Sequence, residues 1–209
     1  NKEYDETIGR AELVFENKDW VIVITHDKEA NVQFGKYTTW CTAGTRYGSM
    51  FDSYHGRGEL FVLVKKGYGS KAAIKKDPSF RLQFHFEDQQ YMDAPDRPIS
   101  INDFLFDNPE VKNFFKKYIT KVVLPKRQTK GKVNDDIQFL LKLGYGDQII
   151  KMLKDSRPKI LELGSVCIVH SCCVLCILDV FRTCLGILKN HELKYVHINR
   201  YWFWNCLGV

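Results

Sequence analysis

Trp20-Val-Ile-Val-Ile24 sets five apolar residues in a row, rich in β-branched side chains, between polar neighbours. That pattern predicts a buried strand. Glu3 to Phe15 is a polar-apolar lead-in to it. Asp27 is placed to cap a short helix over Lys28 to Gln33, with Gly35 to stop it. Thr38 to Cys41 lead into Thr42-Ala43-Gly44-Thr45, a helix start, and Arg46 to Tyr54 reads as that helix, ended by Gly56-Arg57-Gly58. Leu60-Phe-Val-Leu-Val64 predicts a second strong strand, turned by Lys65 to Gly69, and Lys71 to Ile74 reads as a short third. From Phe80 to Phe86 the apolar residues alternate, placing Phe80, Leu82, Phe84 and Phe86 on one side and Arg81, Gln83 and His85 on the other. Glu87 to Gln90 turns this strand into Tyr91-Met-Asp93, and Asp96-Arg97-Pro98 ends the sheet.

Helical periodicity returns afterwards. A turn over Asp103 to Phe106 can be capped by Ser100 or Asn102, and Asn108-Pro109 is a helix start with proline at its first position. Val111, Phe114, Phe115 and Tyr118 read as the apolar stripe of that helix, and Val122 to Leu124 as a last strand before Pro125. Two short amphipathic helices, about Asp135 to Leu143 and Asp147 to Leu153, flank Gly144-Tyr145-Gly146. The sum is an α+β chain: a helix-first antiparallel-sheet body with a small C-terminal helical appendage and an atypical apolar, cysteine-rich tail. The expected division is a 1–124 module, a basic linker with a helical pair over 125–164, and the tail over 165–209.

Composition narrows the class without naming it. A chain of 209 residues holds one domain of roughly 150 residues plus an appendage. With 44% hydrophobic and 27% charged residues, wholesale disorder, collagen-like sequence and a polytopic membrane protein are excluded. A net charge of +6 favours anionic partners. Asn1 in place of Met points to a processed or truncated chain, and no charged-then-apolar leader precedes the body. Cys41 is alone in the first 164 residues, which fits an intracellular, reducing compartment.

The remaining cysteines crowd into the tail, and three readings compete for them. Val166 to Leu178 carries no formal charge but is shorter than the roughly 20 residues a bilayer span needs. Extension to Leu188, so that 166–188 associates with a membrane, takes in Asp179 and Arg182 and is not favoured. Cys173 and Cys176 with His170 and Cys184 have the look of metal ligands, yet no glycine or proline knuckles separate them; no metal and no cofactor are expected. Buried free thiols are the plain alternative. The break in style through Tyr201-Trp-Phe-Trp-Asn-Cys206 favours the third reading, a segment foreign to the fold, with the authentic sequence ending near Leu161 to Ser165.

Tyr37-Thr-Thr-Trp-Cys-Thr-Ala43, followed by Met50-Phe-Asp-Ser-Tyr54, Gly58-Glu-Leu-Phe-Val62, Gln83-Phe-His-Phe86 and Met92-Asp93, resembles an uncharacterised module of bacteriophages and large DNA viruses. The resemblance covers roughly Trp20 to Pro98 and departs from that group's pattern at Gly58-Glu59-Leu60. It implies a viral or mobile-element origin, with the host cytoplasm as the compartment, and no particular reaction.

The residues themselves allow a thiol-hydrolase-like site. A cysteine at a helix N-terminus has its thiolate stabilised by free backbone N–H groups. Cys41 would be the nucleophile, His85 the general base and Asp93 the orienting acid, in an arrangement similar to papain-like and transglutaminase-like folds. Hairpin register decides whether this works. An odd loop pairs His85 with Asp93 on one face; a two- or four-residue loop sends Asp93 to the opposite face and leaves Glu87 or Asp96 as substitutes. His26 and His55 are weaker candidates, and a core cysteine, a solvated histidine and turn-capping aspartates are the structural alternatives.

A second, non-catalytic function reads from the basic arm. Lys112, Lys116, Lys117, Lys121, Lys126, Arg127, Lys130 and Lys132 fall in one stretch without an acidic residue. They suit nucleic acid through its phosphates, or another protein, against the alternative of a solvated helix face and linker. No zinc-finger, RNP, helix-turn-helix or P-loop spacing accompanies them.

Overall fold

A computed structural model describes residues 10–44, 49–128, 133–156, 160–163 and 195–198. Its two compact units divide between Ser100 and Ile101.

The first unit is built on a five-stranded antiparallel sheet in sequential order: β1 (Ala11–Glu16), β2 (Trp20–Thr25), β3 (Phe61–Lys65), β4 (Arg81–His85) and β5 (Gln90–Asp93). β1 occupies the end of the expected lead-in and so places a strand, not a helix, first among the described elements. Val14 is its bulged residue, between the pairs Leu13↔Val23 and Phe15↔Ile22. An unpaired extra residue on an edge strand disturbs the ladder and discourages further pairing.

One sheet face is closed by α1 (Lys28–Phe34) and by a single 3-10 turn, Cys41–Ala43. The α1 caps follow the sequence: the Asp27 carboxylate accepts from the Ala30 N–H at 2.8 Å, and Gly35 ends the helix. Gly35 is there for room. A Cβ at this position would stand 2.5 Å from the Ala43 Cβ and 2.8 Å from the Asn31 carbonyl oxygen. That close approach lets Trp40 and Ala43 pack with Ala30, Phe34, Val23, Val62 and Val64.

The polar side of β4 is buried under this cover, so the alternative of a solvated His85 does not hold. Arg81, Gln83 and His85 are all buried. Gln83 links the layers: its Nε2 donates to Asn31 Oδ1 at 3.2 Å, its Oε1 accepts from the Thr42 hydroxyl at 2.8 Å, and the Thr25 hydroxyl donates to the same Asn31 oxygen at 3.1 Å. Arg81 reaches across to the Lys36 carbonyl at 2.7 Å. Alternation identified the two sides correctly; what it could not show is that the polar side is an interior network. On the other side, Phe84 makes edge contacts with Phe86 and Tyr91.

Three local expectations are corrected. Lys71–Lys76 is a helix, α3, in place of a short strand, because the Ser70 hydroxyl caps it at the Ala73 N–H. The helix expected over Arg46 to Tyr54 is described as α2 (Phe51–His55) alone, with residues 45–48 outside the described set. The strand expected at Val122 to Leu124 is helical and belongs to the second unit.

That unit opens with α4 (Ile101–Asp107) and α5 (Pro109–Tyr118). A π turn over Ile119–Val123 follows and runs straight into α6 (Leu124–Gln128). β-branched residues at 119, 120, 122 and 123 imitate a strand in sequence, but Val111, Phe115, Ile119 and Val123 form a single buried row. The widened turn stands before Pro125, whose missing N–H and ring would break an ordinary α-helix. α7 (Val133–Lys142) and α8 (Gly146–Ser156) complete the helical set, joined through buried Tyr145, whose hydroxyl donates to the Lys112 carbonyl at 2.9 Å. Helices at 101–124 therefore group with the helical pair, moving the expected boundary at 124 to 100, because the sheet closes at the Met92–Pro98 bridge. Within the tail, β7 (Tyr195–Ile198) pairs in parallel with β6 (Ile160–Leu163). The tail cysteines, the 166–188 segment and the suspected joint near Ser165 lie outside the described residues.

Gln83→Leu should lower stability by about 2 kcal/mol, because it orphans the Thr42 hydroxyl and removes a donor to Asn31. Urea unfolding reads this as a lower midpoint at unchanged slope. Adding Thr42→Val should recover part of the loss; a single variant as stable as the parent would refute the network's role.

Candidate functional site

The W-C-T-A turn is held at nearly every side chain except one. Trp40 is buried and its indole N–H donates to the Asp93 carbonyl at 2.6 Å, while the Thr39 N–H reaches the Ala94 carbonyl at 2.9 Å. Thr42 binds Gln83, and Ala43 packs beside Gly35. Cys41 alone faces outward and is exposed.

Its surroundings do not favour a thiolate. Partial burial pushes the Cys41 thiol above its ordinary range, and the Asp96 charge pushes it further. The N–H groups of Cys41 and Thr42 and the Tyr54 hydroxyl oppose the shift without overcoming it. A three-residue 3-10 turn supplies few aligned N–H groups, so the expected helix N-terminus contributes little here. Asp96 itself is pushed up, by burial first and by Asp93 second.

His85 is 1% exposed, and its two ring nitrogens are engaged by its own hairpin and by α2. Nδ1 accepts from the Asp88 N–H at 3.2 Å, with the Asp88 carboxylate 3.4 Å away, and Nε2 lies 3.1 Å from the Tyr54 carbonyl. With Nδ1 accepting, Nε2 carries the hydrogen and donates to that carbonyl. No lone pair is left to receive a thiol proton. The Tyr54 ring meets His85 edge-on at 5.4 Å, and its hydroxyl is the group that reaches Cys41. Tyr54 thus touches both members of the expected pair.

Asp93 is not joined to His85. The β4–β5 loop has four residues, so His85 pairs with Gln90 and Leu82 with Asp93. This even register turns Asp93 to the opposite face. Its carboxylate instead closes the next bend, accepting from the Arg97 N–H at 2.8 Å and from the guanidinium at 3.0 and 2.8 Å. The expected Cys41–His85–Asp93 order therefore is not assembled as a relay. Of the substitutes, Asp96 acts on Cys41 with the wrong sign of charge, and the Glu87 carboxylate lies over Gly58. His26 faces Glu12 at 3.3 Å on the surface, and His55 stacks on Phe51 with Glu59 4.0 Å away. A cavity of about 460 Å³ lies along β1, β2 and β3, lined by Leu13, Val21, Val23, Phe34 and Val64 among others. None of the three expected catalytic residues lines it.

The basic arm divides by what its charges touch. Lys112 lies over the Tyr145 ring at 5.8 Å, and Lys116 pairs with Asp147. Burial works against the ionised Asp147, but Lys116 and Gln148 together hold the carboxyl below its usual range. Arg127 binds Asp136 at 2.9 Å and covers the Phe139 ring at 4.6 Å. Burial still pushes Asp136 up, with Arg127 offsetting only part. Lys117, Lys121 and Lys126 face solvent. Lys130 and Lys132 lie outside the described residues. Among the described residues, no group of three His, Cys, Asp or Glu side chains can hold a metal ion, and no helix is long and apolar enough to cross a membrane.

No protein-family model, curated protein or solved structure matches this chain.

Cys41 should alkylate slowly near neutral pH and accelerate only as pH rises past the ordinary thiol range, since the reactive thiolate is disfavoured. Asp96→Asn removes the opposing charge and should speed labelling at a fixed mildly alkaline pH; asparagine also tolerates the positive φ of 62° at this position. His85→Ala should leave the labelling rate unchanged in protein that circular dichroism shows to be folded. A fast rate near neutrality that collapses in His85→Ala would restore the thiol-relay reading.

Proposed function

We propose that this chain is a non-catalytic nucleic-acid-binding module of the bacteriophage and large-DNA-virus kind that its Trp40-Cys-Thr-Ala43 region resembles, with the second unit contacting phosphates. The observation that carries this reading is the division of charge. Residues 101–209 hold 17 basic and 10 acidic residues, a net of +7, against 14 and 15 in residues 1–100, a net of −1. The basic excess of the whole chain thus resides in one unit. Three of its lysines, Lys117, Lys121 and Lys126, are exposed along the continuous helix from α5 to α6. Charges fixed on a regular element and turned to water are suited to sequence-independent phosphate contact. The first unit supports the same reading from the other direction, because its histidine and aspartate serve packing and turns and its exposed cysteine has neither of them as a partner.

Binding of a fluorescent oligonucleotide should weaken steeply with salt. Three phosphate contacts on a single strand correspond to a log–log slope of about −2. Lys117→Ala with Lys121→Ala should reduce the magnitude of that slope by about half or more. Absence of binding at low salt, or a slope indifferent to both lysines, would overturn the reading.

A further inference from the structure

The lysine row does not stand alone on its helix. Phe114, Lys117, Tyr118 and Lys121 follow the spacing i, i+3, i+4, i+7, which gathers four side chains within an arc of about 100°. Only Val111 and Phe115 of α5, continued by Ile119 and Val123, are buried, whereas Phe114 and Tyr118 are half-buried beside exposed Lys117 and Lys121. The sequence pattern assigns both aromatics to the apolar stripe; the structure puts them on its shoulder, next to the charges. Phe114 is braced against buried Phe115, with ring centroids 5.0 Å apart and planes tilted by 60°. Lys112 and Lys116 fall on another face of the helix, held by Tyr145 and Asp147, so the lysines that share the rings' face are those turned to water.

Phosphate binding alone gives no reason for aromatic rings at the edge of a basic row. A flat ring half open to water, one helical turn from an ammonium group, is suited to an unstacked base whose phosphate the lysine neutralises. Duplex DNA keeps its bases stacked inside, so it would leave both rings unused. We infer that the α5 face binds single-stranded nucleic acid, with Phe114 and Tyr118 stacking on bases while Lys117 and Lys121 contact the adjoining phosphates. This rests on the phosphate-binding reading above and adds the class of strand.

The full chain is titrated at one salt concentration with an adenine oligonucleotide, an abasic oligonucleotide of the same length and a duplex of the same length. The adenine strand should bind at least five-fold more tightly than the abasic strand, and more tightly than the duplex. Tyr118→Leu and Phe114→Leu should each erase most of the adenine preference and leave abasic binding unchanged, while Tyr118→Phe keeps it. Equal binding of adenine and abasic strands, or a duplex bound as tightly as the adenine strand, would overturn the stacking inference and leave phosphate binding intact. The comparison among ligands uses the parent protein, so it decides the matter even where a leucine variant fails to fold. Failure of all three to bind at low salt would instead remove the phosphate reading, and this inference with it.

Discussion

The first unit depends on a buried polar junction that joins a helix, a turn and the sheet. Asn31 on α1, Gln83 on β4, Thr42 in the W-C-T-A turn and Thr25 at the end of β2 share donors and acceptors where water does not compete. Each group left unpaired there costs about 1–3 kcal/mol, so alternative dockings of the cover are strongly disfavoured. Apolar contacts among Trp40, Phe34, Val23, Val62 and Val64 supply non-directional attraction. The junction adds direction. Trp40 then carries the same constraint to the far side of the sheet through its bond to the Asp93 carbonyl, so one short segment fixes both α1 and β5.

This accounts for the position of Cys41 without a catalytic purpose. Its neighbours on both sides point inward, Trp40 to the core and Thr42 to Gln83. In a tight 3-10 turn, the intervening side chain is left outside. A nucleophilic cysteine needs positive potential, from a helix terminus, a cation or a protonated imidazole. Here the charge that acts on the thiol is the Asp96 carboxylate, and the His85 imidazole already donates to one backbone carbonyl and accepts from one backbone N–H. Geometry and electrostatics agree.

Much of the fold was legible because it rests on local chemistry. Asp27 and Gly35 mark α1, Asn108-Pro109 opens α5, and the β-branched runs at Trp20 and Leu60 are strands. What escaped depends on partners distant in sequence. Arg81, Gln83 and His85 alternate as a solvated face would, and only the cover brought in from residues 28–43 makes that face interior. For Lys71–Lys76, a capping Ser70 competed with an apolar pattern too short to establish a period. The site was legible as a set of residue types but not as an arrangement. Whether Asp93 could orient His85 turned on a single residue of loop length, and the four-residue loop at Phe86 to Gln89 placed them on opposite faces.

The same kind of irregularity shapes the second unit's exposed face. Val111, Phe115, Ile119 and Val123 recur every four residues, which on an α-helix advances the apolar row by about 40° at each step. Uncorrected, that drift would carry Val123 well off the row begun by Val111. A π turn holds more than four residues, so across Ile119–Val123 a four-residue step falls short of a full turn and turns the row back where an α step would add to the drift. The Thr120 hydroxyl donates to the Lys116 carbonyl at 2.8 Å, satisfying an acceptor where the ladder is disturbed. Keeping the buried side straight also keeps the opposite side straight. Lys117 before the π turn and Lys121 within it are four residues apart and share one exposed side, whereas Lys126, beyond Pro125, is exposed about a quarter turn further round. The β-branched run that looks least helical in this region is therefore what keeps Lys117 and Lys121 in line.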